Sequence, residues 1–256
     1  MQVEILHGST PVALYDRPDG CCGALITDPP YGMSSRPGQG WKFSSHVTLH
    51  EEWDSIVDYG SFTYHWLETA TRLVVPNGNL LIFSSYHSLA GVLASLAGLE
   101  RKLQQLVVWR KTNPQPSINC RSLTECVEYI VWAVNATPKE ATGWCFDYKL
   151  AKELNGGKQM RNVWDFPVTP RSERLGHPTQ KPLALVERLV RLFTREGDVV
   201  LDPFLGSGTT AVAALGWGRG CLGVEKEAAY VEMSRRRLQD LCAAAGYGEE
   251  TCQVTV

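Results

Sequence analysis

Ala24-Leu25-Ile26-Thr27-Asp28-Pro29-Pro30-Tyr31-Gly32 is a short apolar run that ends in a carboxylate, two prolines and an aromatic ring. Proline donates no N–H to a ladder, so a strand through 24–27 stops at Asp28. Two fixed φ angles stiffen the corner while Asp28 and Tyr31 project from the strand's carboxyl end. Open α/β sheets bind their ligands at that end. Taken alone, the corner reads equally well as a Pro-rich turn.

A second corner of the same kind lies far downstream. Val199-Val200-Leu201-Asp202 reads as a strand feeding Pro203-Phe204-Leu205-Gly206-Ser207-Gly208-Thr209-Thr210, a glycine turn and a helix start. Glycines there let the backbone approach a ligand. No Gly-Lys-Ser/Thr follows, so it is not a phosphate-binding Walker loop, and the third glycine of dinucleotide folds is missing. Asp202 at the strand end welcomes an ammonium and repels a pyrophosphate. Glu225 lies 23 residues later, ending the strand Cys221–Glu225, where a carboxylate accepts ribose hydroxyl protons. A ligand with a ribose and an ammonium but no phosphate is S-adenosylmethionine.

Along the chain, strands alternate with helices. Val3–Leu6, 79–85, 106–109 and 126–134 have strand character; 56–73, 89–99, 182–196 and 228–245 have helical periodicity, the first stopped by Pro76-Asn77-Gly78, the third begun by Pro182 and closed by Gly197-Asp198. The alternation implies a doubly wound, mostly parallel sheet. Residues 32–50 lack periodicity and directly follow the first corner, as a mobile lid would.

The net charge of −2 hides an uneven distribution: residues 1–100 carry −6, 101–181 carry +6 and 182–256 carry −2. A polyanion would meet the middle segment, where basic side chains are interleaved with Trp144, Phe146, Tyr148 and Trp164. No run of apolar residues reaches the ~18–20 needed to span a bilayer, and no secretory leader is evident. The eight cysteines show no Cys-x-x-Cys pair, so no metal is expected, and the reading is of a cytoplasmic protein with reduced thiols.

Asp28–Tyr31, Pro76-Asn77-Gly78-Asn79-Leu80-Leu81-Ile82-Phe83, His177-Pro178-Thr179-Gln180-Lys181-Pro182 and Asp202–Thr210 together resemble the DNA amino-methyltransferases that act on adenine N6 or cytosine N4. The chain looks like their β class, in which the catalytic half precedes the cofactor half, and the match covers nearly its whole length. The resemblance implies an α/β, Rossmann-like methyltransferase sheet of seven strands with one antiparallel, circularly permuted, carrying a small basic target-recognition insert. The two halves would be 1–134 (catalytic) and 177–256 (cofactor-binding), with the insert at 135–176 between them. The strand after Gly197 would be topologically first and that of 24–27 fourth, which brings Asp28 and Asp202 to opposite sides of one pocket. The chain departs from the family pattern at Ser9, which follows Gly8 where an acidic residue is common.

The resemblance implies roles as well. Asp28, Pro29, Pro30 and Tyr31 would form the catalytic corner. Asp202, Phe204, Gly206, Ser207, Gly208, Thr209 and Glu225, with Thr179 and Lys181 at the methionine end, would hold S-adenosylmethionine. Arg36, Lys42, Arg110, Lys111, Arg161, Arg171 and Arg174 are candidates for contact with double-stranded DNA. Asp at the first motif position favours adenine; N4 of cytosine is the alternative, RNA a weaker one, and a catalytically idle DNA-binding descendant the reading from another class. Relatives of this class admit a homodimer and a cognate restriction endonuclease as partners. No Pro-Cys nucleophile is present, which argues against C5-cytosine chemistry.

Overall fold

The computed structural model describes residues 2–33, 54–117 and 120–246, and the backbone of 41–42, 48–49 and 253–255. A nine-stranded sheet runs in the order β11-β1-β10-β9-β2-β5-β7-β6-β8. Its strands are β1 (Gln2–His7), β2 (Cys22–Thr27), β5 (Val74–Ser84), β6 (Lys102–Lys111), β7 (Val127–Val134), β8 (Val163–Phe166), β9 (Val199–Asp202), β10 (Gly220–Glu225) and β11 (Gln253–Thr255). Only β7 runs antiparallel to its neighbours. The seven strands expected form the centre, and the short β8 and β11 extend it at either edge. β3 (Trp41–Lys42) and β4 (Thr48–Leu49) pair as a separate antiparallel ribbon. The rest of the expected lid over 32–50 lies mostly outside the described residues.

The helices are α1 (Tyr59–Leu73), α2 (Leu89–Gly98), α3 (Tyr148–Leu154), α4 (Leu183–Phe193), α5 (Thr209–Gly216) and α6 (Ala228–Ala244). Successive strand residues point to opposite faces, so Leu25 and Leu80 pack with Trp66, Leu67 and Leu73 of α1 on one side. Ile26 and Leu81 pack with Leu185, Leu189 and Phe193 of α4 on the other. Strands covered on both faces read as unbroken apolar runs, which is why β2 and β5 do. Among the described residues, no helix is long and apolar enough to cross a membrane.

Pro76-Asn77-Gly78 does more than stop a helix. α1 already ends at Leu73, and β5 begins at Val74 and continues through the tripeptide. Along this stretch β2 advances from Cys22 to Ala24 while β5 advances from Val74 to Asn79. The tripeptide is therefore a bulge, with Asn77 at φ 62° and Pro76 where no ladder N–H is required. Asn79 beyond it is buried and fully engaged. Its amide donates to the carbonyls of Cys145 (2.7 Å) and Phe193 (2.8 Å), and its oxygen accepts from the Trp132 indole (2.9 Å).

The insert joins the sheet. β8 pairs with β6, and Trp164 is buried while Trp144 and Phe146 pack against the core. Phe146 lies 5.5 Å from Trp132 and 5.4 Å from Phe193. Of the four aromatics that suited base stacking, only Tyr148 is exposed. Among the described residues, six cysteines are free thiols, but Cys242 is disulfide-bonded, so the fully reduced set expected does not hold there.

Candidate active site

β2 and β9 are parallel neighbours, with Ala24 opposite Val200 and Leu25 opposite Leu201. Their carboxyl ends therefore emerge side by side, and the Thr27 hydroxyl donates to Asp202 Oδ1 at 2.7 Å. The space above them is a cavity of about 370 Å³ lined by Asp28, Pro29, Pro30 and Tyr31 on one side and Asp202, Phe204, Gly206, Ser207, Thr209 and Glu225 on the other. Residues 175 positions apart in the chain thus share one wall.

On the first side, Tyr31 is buried and its hydroxyl donates to Asp28 Oδ1 at 2.7 Å. The Lys181 ammonium donates to Asp28 Oδ2. Burial raises the Asp28 carboxyl above its usual range against the pull of Lys181. The corner is pinned from behind by Asp54, fully buried, which accepts from the N–H groups of Gly32 (2.8 Å) and Met33 (2.9 Å). Asp54 was not foreseen, and nothing local in its sequence marks it.

Two further groups complete this side. Glu128, near the start of β7, accepts from Lys111 at 2.7 Å and lies 3.7 Å from the Lys181 ammonium. Nothing in the sequence marks Glu128, and Lys111 stands there as a candidate for DNA contact. Lys111 is only 16% exposed and is ion-paired inside the site, so it offers no free charge to a phosphate. Lys181, expected at the methionine end, lines the same cavity but has its ammonium on Asp28.

On the second side, Asp202 accepts from Thr27 and from the Phe204 N–H at 3.1 Å. Its burial pushes the carboxyl up to about 6, against the hydrogen bonds from Thr210, Thr27 and Phe204. Glu225 accepts from the N–H groups of Gly206 (2.8 Å) and Glu227 (2.7 Å); burial raises it too. Each of its oxygens keeps a lone pair for a further donor. Gly206 and Gly208 adopt φ of 53° and 77°, and a Cβ on Gly208 would come within 2.9 Å of the Ser234 side chain. Ser234 in turn donates to the Gly206 carbonyl (2.8 Å), and Arg237 holds the Ser207 carbonyl (3.2 Å) and the Thr209 hydroxyl (2.9 Å). A Cβ on Gly206 would meet His177 Nε2 at 3.0 Å. His177 packs against Tyr230 with the rings tilted at 56°, and burial with the Lys181 charge lowers it to about 4. Thr179 lines the cavity, as do Gly8, Ser9 and Thr10. A carboxylate to accept from an ammonium, a second to accept from a diol, and a backbone cradle that a methyl group would fill are together what S-adenosylmethionine requires of its site.

The remaining basic candidates divide. Arg171 and Arg174 are exposed on the turn Arg171–Glu173 and just after it, next to the His-Pro-Thr segment; Arg174 also donates to the Thr169 carbonyl (3.0 Å). Arg110 is exposed but paired with Asp165 at 2.6 Å. Arg161 precedes β8, which rises in parallel with β6 towards the cavity, so it lies at the far end of that strand. Arg36 and the Lys42 side chain lie outside the described residues.

A family model described as DNA methylase matches residues 24–236. The Type II methyltransferase M2.DpnII of Streptococcus pneumoniae is 38% identical over 226 residues, covering 84% of this chain and 81% of its own. M2.LlaDCHI of Lactococcus lactis subsp. cremoris is 36% identical over 225 residues, with coverages of 84% and 81%. Among solved structures, the M1.HpyAVI–SAM complex superposes with a TM-score of 0.70 at 28% identity, covering 93% of this chain and 99% of that one.

Proposed function

The chain belongs to the DNA methylase family as a site-specific, S-adenosylmethionine-dependent DNA methyltransferase, and on that premise we propose that its target is the exocyclic N6 of an adenine flipped out of the duplex. The observation that carries this reading is the pair of carboxylates, Asp28 and Asp202, on adjoining strand ends at one cavity. When bound, S-adenosylmethionine supplies a sulfonium methyl group open to direct displacement by an amino nitrogen.

The residues divide the work. Asp202 attracts the cofactor's ammonium, Glu225 accepts from its ribose, and the turn Gly206–Thr209 gives it backbone to lie against; Thr179 closes the same side. An amine conjugated to a purine is a weak nucleophile because its lone pair is delocalised. Asp28 and the Pro29 carbonyl accept its two N–H bonds, which draws the nitrogen towards tetrahedral geometry and frees the lone pair. Pro30 fixes the corner and Tyr31 stacks on the base. Positioning supplies most of the acceleration. The proton released after transfer goes to water, so no strong general base is needed.

Arg171 and Arg174 of the insert are placed for phosphate contacts that set register. The Type II designation of the relatives supports a cognate restriction endonuclease as a partner, and a DNA substrate supports a cytoplasmic site of action. A homodimer is part of the same reading.

The test is to incubate the protein with labelled S-adenosylmethionine and mixed-sequence DNA, digest, and identify the labelled nucleoside. N6-methyldeoxyadenosine is expected. N4-methyldeoxycytidine would move the target to cytosine, and absence of label would favour the idle descendant.

A further inference from the structure

We propose that Glu128 is a positioning residue that takes the Lys181 ammonium from Asp28 when the target base enters. The inference rests on the reading of Asp28 as the acceptor of the base's amine. In the structure that acceptor is engaged: Tyr31 donates to Oδ1 and Lys181 to Oδ2. A charge-assisted bond from an ammonium is about twice as strong as one from a neutral amine. While Lys181 stays on Asp28, the carboxylate is a poorer acceptor for the base.

Lys181 has little room to leave. Its side chain is 9% exposed, and a buried ammonium without a counter-ion is costly. Glu128 Oε2 stands 3.7 Å from the Lys181 nitrogen, so a shift of roughly 1 Å makes a full ion-pair hydrogen bond. The ring faces of Tyr31 and Phe83, 5.5 and 5.4 Å from the ammonium, favour a cation throughout the move.

Glu128 has no evident role in the fold. It sits in an apolar strand, 14% exposed, and its partners are the side chains of Lys111, Lys181 and Tyr31, the last at 3.4 Å. Burial pushes its carboxyl up, but Lys181 and Lys111 outweigh that and hold it below the usual range. Asp28 is raised by burial and by the Glu128 charge. Glu128 thus stays ionised where Asp28 is the weaker acid partner. Lys111 sets the balance, because what it takes from Glu128 is withheld from Lys181. The other titratable groups facing the cluster are Tyr59 of α1, Glu125 ahead of β7, His177, and Asp202 of β9.

Glu128→Gln and Lys111→Met test this in opposite senses. The carboxyl titration of Asp28, identified by its loss in Asp28→Asn, is followed by carbon-13 NMR in the free protein, and kcat and KM are measured against pH. In Glu128→Gln the repulsion is gone and Lys181 rests on Asp28 alone. The Asp28 midpoint and the acid limb of kcat therefore move to lower pH, and kcat falls about tenfold, the worth of a charge-assisted bond left on Asp28, with little change in KM. In Lys111→Met, Glu128 draws Lys181 away, and the midpoint and the acid limb move to higher pH. Midpoints that stay fixed or move in the same direction overturn the proposal, as does an unchanged kcat in Glu128→Gln. Should Glu128→Gln fail to fold, the direction of the shift in Lys111→Met decides alone. The NMR titration needs no turnover. A wild type inactive on all DNA would therefore refute the methyl-transfer reading, while the titrations still decide the ion-pair exchange.

Discussion

Replacing Asp202 by asparagine and taking the wild type from pH 7 to pH 5 perturb the same charge by two routes. Asp202 is 2% exposed and its carboxyl titrates at about 6, because burial outweighs the three hydrogen bonds it accepts. Only the ionised form attracts the cofactor's ammonium. The apparent Kd therefore scales with one plus the ratio of protonated to ionised Asp202, roughly 1.1 at pH 7 and roughly 11 at pH 5, a tenfold weakening worth about 1.4 kcal/mol. The sign follows from linkage: the free protein holds a proton on Asp202 below pH 6, and binding must expel it. Asp202→Asn keeps the shape and the oxygen that Thr27 and Phe204 need, but removes both the charge and its titration. Its affinity at pH 7 should be lower by about 1.5–3 kcal/mol, the range for a hydrogen bond to a charged group. The assay is isothermal titration of S-adenosylmethionine without DNA, from pH 5 to 8, in two buffers of different ionisation enthalpy to count the proton released. Glu225 is raised as well and titrates in both proteins, so the difference between the two curves isolates Asp202. Parallel curves would refute the assignment.

Asp28→Ala should lower single-turnover transfer by about 10²–10⁴-fold while leaving S-adenosylmethionine affinity intact. An affinity loss as large as that of Asp202→Asn would contradict the division between the two corners. Asn79→Leu strands the Cys145 and Phe193 carbonyls and the Trp132 indole N–H, and should cost about 3 kcal/mol or more in urea denaturation. Arg171→Ala should weaken DNA binding evenly across sequences and reduce the salt-dependence slope by about one. A change confined to one sequence would make Arg171 a base reader instead.

The two corners were legible from local marks, an apolar run, then a carboxylate, then proline or glycine, whereas the strand order and the pairing of the corners followed only from the resemblance to the DNA amino-methyltransferases. β8 was not legible, since four residues of an insert gain strand character only by pairing with β6. The bulge at Pro76–Gly78 was misread as a plain stop, because its register is set by β2 and not by the tripeptide. Lys111 is the more instructive error. Net charge counted Arg110 and Lys111 alike, yet adjacent residues on a strand face opposite ways. Arg110 points to solvent and Lys111 inward, on the side of Trp109, 5.5 Å from its ring. The strand expected over 106–109 in fact runs on to Lys111, and only that extension brings the two residues under period-two alternation, so that they cannot both face DNA. Glu128 is a different case. Its partners lie on β6 and ahead of α4, so only the folded chain brings the charges together.

The order of strands in the sheet also bears on how the chain is made. Of the strands described, β1 is translated before the others, while both of its neighbours, β10 and β11, come after all the rest. At ~5–20 residues per second, the roughly 210 residues between His7 and Gly220 take roughly 10–40 s to appear. Through that interval β1 has no ladder partner, and β2 presents the edge that β9 will cover. Unpaired edges are templates for association with other chains. The nascent polypeptide thus exposes edges of β1 and β2 that the folded sheet covers with β10 and β9.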